Sequence, residues 1–362
     1  MQPQSPTFTN LFAGLRRLHP TERKTRLVNW ALLVLGLLRA RSAALPAIAA
    51  HLPLPTQAGS REKRLRRWFD NLAVEVVSFF APVGRGVLHT LHAAGAPLRL
   101  LMDRVEVENR FNLLVVCVAY RHRAFPLLWK ELGHAGCSTL AEQTALLQQV
   151  QRWVPRQAEV MVVADREFRS VRLAEGLQKR HWHFVLRLKC DTQIEVRSGE
   201  WQRLDALGLH RGQRCWLPGV RVALAHPFGP VNVALVWARG SDEPWYLMTD
   251  LPTLPQAVTM YCVRMWCEEL WRDFKSQGFD LEATGVMQGA RLERLLLGVA
   301  LAVVWALWMG AEVVRHHWRR VVDSGRQRRL SFFLIGVRWL EHCWALNQAL
   351  TFLIPPEPLE VT

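Results

Sequence analysis

Hydrophobic residues recur with two different periods along the chain, and the period changes near residue 97. The first 95 residues have a helical and basic pattern. The segments 97–107 and 112–120 that follow are apolar runs typical of strands, and RHRAFPLLWKEL continues after them as a third strand. The pattern therefore predicts a helical region followed by a sheet.

The chain then alternates between helices and strands. Helical spacing over 138–153, with Ser138 at its start, precedes an apolar strand over 158–168 that ends in a polar cluster. A helix is predicted over 170–180 and a strand over 183–189. Three strands followed by a helix, a strand, a helix and a strand indicate an α/β fold.

The rest of the chain contains short β-like pieces and then long helical stretches. The β-like pieces between about 191 and 250 predict an inserted β-subdomain. Long helices are predicted over 255–276 and 332–352. The expected regions are a basic helical domain (1–96), an α/β core in two parts (97–190 and 251–315), the β-rich insertion (191–250) and a C-terminal helical region (316–362).

One apolar stretch has two interpretations. Residues 295–311 contain no charged side chain, and this length is at the lower limit for a membrane span. A helix buried in a large core gives the same pattern. Charged residues lie close to both ends, at Arg294 and Glu312, which favours a core helix and a protein that does not enter the membrane.

The basic helical domain contains a short apolar segment, a turn and an arginine-rich helix. The apolar segment is 42–52, and the second helix is predicted to begin at Ser60 and to carry Arg64 and Arg67. This order is typical of a helix-turn-helix that reads DNA. A solvated basic helix in a small bundle is the alternative.

The overall charge changes the range of expected partners. The formal net charge is +15 and the pI is about 10.4, which is typical of proteins that bind polyanions such as nucleic acid. The seven cysteines are scattered and form no Cys-x-x-Cys pair, so neither a disulfide framework nor a zinc site is indicated. The N-terminal residues lack the pattern of a signal peptide, and a cytoplasmic location is expected.

Four polar residues share one face of the predicted helix 255–276. Tyr261, Arg264, Glu268 and Lys275 lie at offsets 0, 3, 7 and 14, which places them within about 60° of one another around a helix. A phenol, a guanidinium, a carboxylate and an ammonium suit a surface that faces a phosphate backbone, with one acid available to a metal. The neighbouring Glu269 points about 100° away. A surface stripe of ion pairs is the alternative.

Two further acids lie in apolar strand candidates. Asp103 is inside LRLLMDRVEV, and Asp165 ends VMVVAD. An acid in a buried strand is costly unless it is paired or bound to metal. Three acids brought together would hold hard divalent cations, and two such ions suit an in-line phosphodiester displacement. For each Asp alone, a salt bridge to Arg104 or Arg166 is the alternative.

These residues resemble the DDE transposases of bacterial insertion sequences with the Tyr-Arg-Glu-Lys signature, the group that includes the Tn-five and Tn-ten enzymes. The signature Y-(2)-R-(3)-E-(6)-K is matched in every spacing by the four residues of the helical stripe. The D-R-x-F motif of the second Asp is matched by Asp165, Arg166 and Phe168. The segment WYLMT resembles the family's strand that begins with a base-stacking Trp, here Trp245.

The chain departs from the family at two positions beside the acids. Many relatives have Gly where this chain has Glu167, and many have Thr where it has Val105. Neither change removes a catalytic group, but both affect residues expected to lie close to DNA.

The resemblance implies an RNase H-like core and cut-and-paste transposition, with cleavage of transposon ends, hairpin formation and transfer to target DNA. It implies double-stranded DNA, both terminal inverted repeats and target, as the partner and a homodimer that pairs two ends. The residues implied to hold two Mg²⁺ ions, for which Mn²⁺ can substitute, are Asp103, Asp165 and Glu268. The residues implied to contact end DNA are Tyr261, Arg264, Lys275, Arg166 and Trp245.

Three alternative functions are open from the sequence. They are a DDE-type nuclease or domesticated relative without strand transfer, a DNA-binding regulator with structural acids, and a membrane protein.

Overall fold

A computed structural model describes residues 6–275, 277–348 and 350 of the chain. The strands among these residues form one mixed, ten-stranded sheet. Their bounds are β1 Leu98–Val107, β2 Phe111–Tyr120, β3 Arg123–Glu131, β4 Val160–Ala164, β5 His183–Arg187, β6 Gln193–Arg197, β7 Glu200–Arg203, β8 Arg214–Val222, β9 Phe228–Val236 and β10 Trp245–Thr249.

Helices precede, interrupt and follow the strands. The helix bounds are α1 Pro6–Leu18, α2 Lys24–Ala40, α3 Leu45–Ala50, α4 Ala58–Phe69, α5 Val76–Ala93, α6 Leu140–Gln151, α7 Val171–Gln178, α8 Leu254–Cys262, α9 Met265–Phe274, α10 Gly289–Arg315 and α11 Phe332–Ala345. Short 3₁₀ turns are Arg166–Phe168, Leu204–Leu207, Leu281–Ala283 and Trp318–Val321. The prediction of an α/β protein with helical N-terminal and C-terminal regions is confirmed.

The strand order is β3-β2-β1-β4-β5-β10-β9-β8-β6-β7. The first three strands form an antiparallel meander, and β1, β4 and β5 run parallel at the centre. In the β1–β4 register Met102 lies opposite Ala164, so Asp103, which continues β1, and Asp165, which directly follows β4, lie side by side. The register alone thus brings together two acids that are far apart in the sequence.

The strands predicted within 191–250 extend the core sheet. Strand β10 pairs antiparallel with β5, and β9, β8, β6 and β7 continue outward from it. The insertion therefore adds five strands to the sheet and does not form a separate one among the described residues.

Several predicted element boundaries are wrong. Helix α4 begins before Ser60, which lies in its first turn, and Gln57 is the residue that precedes the helix. Helix α6 is capped by Thr139 through a capping box with Glu142, while Ser138 lies outside it. Helix α11 ends at Ala345, and of the predicted extension to 352, residues 349, 351 and 352 lie outside the described residues.

The predicted single helix over 255–276 is two helices. The backbone N–H of Arg264 donates to the carbonyl of Tyr261, and the N–H of Cys267 donates to the carbonyl of Arg264, so the hydrogen bonds tighten to the 3₁₀ pattern at the junction of α8 and α9. Arg264 keeps helical dihedral angles, with φ −54° and ψ −35°. The chain direction therefore continues through the junction, and Lys275 lies just beyond the end of α9.

The apolar segment 295–311 lies inside helix α10, which is long and apolar enough to cross a membrane by length and composition. In the structure 89% of its most apolar window is buried, against α11, α2 and β3 among others. The backbones of α10 and α11 approach closely at Gly310 and Gly336, where a Cβ atom would collide with main-chain atoms of the other helix.

We expect Gly336→Ala to lower the free energy of unfolding by about 1–3 kcal/mol, because the added methyl group would overlap the carbonyl of Ala306 and push the two helices apart. Urea unfolding measures the change. Gly59→Ala is the matched control, since no atom lies within 4 Å of the position its Cβ would take, and it should be neutral or stabilising by up to about 1 kcal/mol. Equal effects of the two substitutions would contradict the close packing.

Candidate active site

Asp103 is a buried carboxylate in the middle of β1, with 7% of its surface exposed. Its Oδ2 accepts a hydrogen bond of 3.0 Å from the indole Nε1 of Trp271, and its Oδ1 accepts one of 3.0 Å from the backbone N–H of Arg104. Burial raises the pKa of Asp103, and the nearby Arg264 charge and the Trp271 hydrogen bond oppose that shift. The side chain of Arg104 turns away to Glu167 and Glu106 and forms no salt bridge with Asp103.

Asp165 directly follows β4 and is partly exposed at the end of the sheet. Its Oδ1 accepts hydrogen bonds from the Tyr261 hydroxyl at 3.2 Å and from the Arg166 backbone at 2.7 Å. Its Oδ2 accepts one of 3.4 Å from Arg264. A further ion pair of 3.6 Å joins Asp165 to Arg187, at the end of β5.

The guanidinium of Arg264 lies between all three predicted acids. It is 4.0 Å from Asp103, 3.4 Å from Asp165 and 3.1 Å from Glu268. Only 14% of the Arg264 side chain is exposed, whereas 45% of the Glu268 side chain is. Although burial opposes it, the combined charge of the surrounding acids raises the pKa of Arg264, so this group remains a cation.

A cleft of about 860 Å³ opens beside this cluster. Asp103, Asp165 and Glu268 line it together with Arg264 and, at its edge, Lys275. The Nζ of Lys275 donates to the backbone carbonyl of Glu106 at 2.8 Å and pairs with Glu282 at 2.5 Å. The cleft thus combines the three predicted acids, and the further acids Glu106, Glu167 and Glu282, with a buried guanidinium and a partly exposed ammonium group.

Tyr261 and Trp245 lie side by side next to the acids. The two rings meet edge to face, with centroids 4.9 Å apart. Burial of Tyr261, followed by the Asp165 charge, raises the pKa of its phenol, which therefore stays protonated and donates to Asp165. Trp245 is half-buried at the start of β10.

Residues 106–305, more than half of the 362-residue chain, match the family of the transposase DDE domain. The chain belongs to the DDE transposase family. The matched segment contains Asp165 and Glu268 and begins three residues after Asp103. None of the curated proteins is significantly similar to the chain. Membership in the family implies an RNase H-like core, a nucleotidyl-transfer or nuclease activity on DNA, and divalent metal ions.

The acids of this DDE transposase suit a divalent cation in kind, because hard cations take carboxylate oxygens as ligands. In the structure no three His, Cys, Asp or Glu side chains of the described residues lie close enough to form a metal site. The Arg264 guanidinium lies at the point where the acids converge and provides positive charge there. The acids therefore fit the metal ions of the family in chemical kind, whereas in their present arrangement they converge on Arg264.

Other predicted site residues lie outside this cluster. Arg166 pairs with Glu243 at 3.0 Å. Glu269, which was not predicted as a metal ligand, pairs with Arg123 and Arg272. On α4, the Nε of Arg64 donates to Asn29 at 2.6 Å. Arg67, also on α4, is exposed.

Sequence reasoning missed three residues that organise the site. Trp271 holds Asp103, and its position three residues after Glu268 on the same helix was the available signal. Arg187 reaches Asp165 from the adjacent parallel strand, which only the strand pairing reveals. Glu167 accepts hydrogen bonds from Arg104 and Ser138 and so fixes the loop after Asp165 to β1 and to the residues before α6.

The opposite face of α9 carries a second, buried acid. Asp273 is fully buried, and its Oδ2 lies 3.0 Å from Nε of Arg123 on β3. Burial raises the pKa of Asp273 to about 7, and Arg123 only partly opposes this shift. The helix that presents Glu268 to the cleft is therefore attached to the sheet through a carboxyl group that titrates near neutral pH.

Ionisation of the buried Asp273 carboxyl group should make the free energy of unfolding depend on pH. The unfolded chain loses this proton near pH 4, whereas the folded protein keeps it to about pH 7, so stability falls as the pH rises through this interval. We expect Asp273→Asn to gain stability relative to the unmodified protein between about pH 5 and pH 8, because the amide does not ionise. Urea unfolding at both pH values measures this, with the fully exposed Asp242→Asn as control. If the free energies of unfolding of Asp273→Asn and the unmodified protein differ by the same amount at about pH 5 and about pH 8, the raised pKa of Asp273 is contradicted.

Proposed function

We propose that the protein is a transposase of the Tyr-Arg-Glu-Lys group that cuts transposon-end DNA and joins it to target DNA. The observation that carries the proposal is the convergence of Asp103, Asp165 and Glu268 on the single guanidinium of Arg264. Lys275 at the edge of the same cleft and Tyr261 against Asp165 complete the signature. The family membership of the chain supports this activity and does not by itself define the subgroup.

In this proposal Asp103, Asp165 and Glu268 would hold two Mg²⁺ ions, or Mn²⁺ in their place, which when bound activate the attacking oxygen and stabilise the leaving one. The three acids differ in their burial and in their hydrogen-bond partners. Trp271 fixes the orientation of the Asp103 carboxylate in a dry environment. Glu268 is the most exposed of the three acids and so the one most free to change its side-chain position.

Arg264 has two successive partners in this scheme. Before DNA binds, its single positive charge offsets part of the mutual repulsion of the three acids. On DNA binding, its planar N–H groups are suited to a phosphate, which a guanidinium contacts through two parallel hydrogen bonds. In this proposal the same side chain first stabilises the acidic cluster and then contacts the DNA backbone.

The resemblance to the Tyr-Arg-Glu-Lys group supplies the reaction sequence of this proposal. Attack of water forms a new P–O bond and breaks the bond to the 3′ oxygen, which leaves as the free 3′-hydroxyl at the transposon end. That hydroxyl would attack a phosphate of the opposite strand, which forms a hairpin and releases the 3′-hydroxyl of the flanking DNA. Attack of water on the hairpin would free the transposon 3′-hydroxyl again, and its attack on a phosphate of target DNA would break the target strand and release a target 3′-hydroxyl. Tyr261, Arg264 and Lys275 position the phosphates and carry no sequence information.

Trp245 and the terminal regions supply the remaining contacts in this proposal. The half-buried indole of Trp245 would stack on a base flipped out of the duplex, an interaction worth about 1–3 kcal/mol per base. Arg166, Arg64 and Arg67 would contact the DNA backbone outside the cleft. Two copies of the chain would pair the two transposon ends through the C-terminal region, of which residues 349 and 351–362 lie outside the described residues.

Removal of any one of the three acids should abolish cleavage. We expect Asp103→Ala, Asp165→Ala and Glu268→Ala each to lower the rate of end cleavage by at least about a hundredfold, the scale of losing a group that stabilises transition-state charge. The assay incubates the protein with DNA that carries the terminal repeats of its element and Mg²⁺ or Mn²⁺. Products are resolved as nicked, hairpin, double-strand-cut and joined DNA.

A matched pair of substitutions separates the active-site role from a general effect on α9. Glu268→Gln and Glu269→Gln remove the same charge from neighbouring positions of one helix, but only Glu268 lines the cleft. Cleavage should be lost in the first and retained in the second. If cleavage survives any of the three alanine substitutions, the catalytic role of these acids is contradicted. If DNA is cleaved but no joined product forms, the protein is a nuclease.

Lys275 is expected to contribute one phosphate contact. Lys275→Ala should weaken binding to end DNA and reduce the slope of log K against log salt by about one, because one fewer counterion is released. Titration of labelled DNA at several salt concentrations gives the slope. Lys179→Ala removes an exposed ammonium group outside the cleft and should leave the slope unchanged. An unaltered slope for Lys275→Ala would show that its contacts to Glu106 and Glu282 are purely structural.

A further inference from the structure

A second, smaller pocket of about 220 Å³ lies between the β2–β3 turn and the segment that leads into α11. The turn contributes Arg121, His122 and Arg123, and the segment contributes Arg328, Arg329 and the residues 330–332. Four arginines and no acid line this pocket. We call it the arginine pocket.

Three of the four arginines form no salt bridge with an acid among the described residues. Arg123 is neutralised by Glu269 and Asp273 on α9. Among the residues that the structure describes, no carboxylate lies within 4.0 Å of the side-chain nitrogens of Arg121, Arg328 or Arg329, which are the remaining arginines of the pocket. Burial, followed by repulsion from the neighbouring arginines, lowers the pKa of Arg328, and the charge of Asp323 only partly opposes this shift. The pocket therefore concentrates positive charge that the nearby Asp323, itself paired with Arg319, only partly offsets.

The two sides of the pocket are held in place by an aromatic ring and by an unusual turn. The guanidinium groups of Arg121 and Arg328 lie over the Phe332 ring, 5.3 Å and 4.4 Å from its centroid. Arg121 and His122 form a two-residue hairpin turn in which both have positive φ, 45° and 63°. Such turns favour Asn and Gly, so this strained turn keeps an arginine where a smaller residue is easier to accommodate.

We propose that the arginine pocket binds a backbone phosphate of double-stranded DNA. Clustered guanidinium groups and the N-terminus of α11, where Ser331 and Phe332 line the pocket, both attract phosphate oxygens. The Phe332 ring is only 8% exposed and is covered by guanidinium groups, so it offers no free face to stack a base. A duplex, whose bases are stacked inside, fits this chemistry better than a free nucleotide or a single strand.

The pocket is separate from the catalytic cleft. Arg123 connects it to Glu269 and Asp273, which lie on the face of α9 turned away from Glu268. A duplex held there is therefore a segment other than the one whose phosphate enters the cleft. The choice of DNA as ligand rests on the proposed function, whereas the phosphate chemistry rests on the pocket alone.

The test measures binding of a mixed-sequence duplex without divalent metal, by fluorescence anisotropy at several salt concentrations. The double variant Arg328→Gln/Arg329→Gln should bind more weakly, with a slope of log K against log salt reduced by about one. The matched control is Arg320→Gln/Arg326→Gln, which removes the same charge from exposed positions outside the pocket. The control should keep the slope of the unmodified protein.

Two further measurements make the result decisive. Arg328→Lys/Arg329→Lys restores the charge and should restore the slope, and thermal melting should show that all three double variants are folded. An unchanged slope in the glutamine variant overturns the proposal, and so does an equal loss in the control. Because this binding involves no cleavage, a protein that binds as expected but does not cut DNA would contradict the proposed function and leave the pocket intact.

Discussion

Three carboxylates converge on one guanidinium, and this arrangement constrains the rest of the core. Asp103 is buried in β1, Asp165 leaves β4 beside it, and both depend on Arg264 for compensating charge. An acid buried without a partner costs several kcal/mol, so the sheet register and the position of α9 must be correct together. A slip of one residue in the β1–β4 register would turn Asp103 to the other face of the sheet and remove it from the cluster.

The junction between α8 and α9 allows one segment to serve both sides of this cluster. Tyr261 at the end of α8 reaches Asp165, and Glu268 in the first turn of α9 reaches the same Arg264. The tightened hydrogen bonds around Arg264 alter the helix at the point where its guanidinium enters the acids. A mid-helix 3₁₀ stretch is a common place for local motion, which suits a residue that changes from acidic partners to a phosphate.

Periodicity predicted the α/β class and the single face that carries Tyr261, Arg264 and Glu268, because helical offsets of three and four residues bring side chains together whatever the tertiary context. It did not predict the helix junction, since no Pro or Gly marks it. Arg187 could not be assigned to Asp165 without the β4–β5 pairing, which is a long-range property. The extension of the core sheet by β10 was equally hidden, because a strand's sequence does not specify its neighbour.

Helix α9 carries acids on two faces, Glu268 towards the cleft and Asp273 towards the sheet, and these acids differ in their access to solvent. Glu268 is close to a cation but still accessible from the cleft, so it can exchange Arg264 for another positive partner. Asp273 is closed off against Arg123, where an exchange of partners would leave a buried charge unpaired. One acid is thus available for chemistry and the other holds the helix against the sheet. The Arg123 contact also joins this helix to the arginine pocket, so that α9 lies between the acid-lined cleft and the arginine pocket.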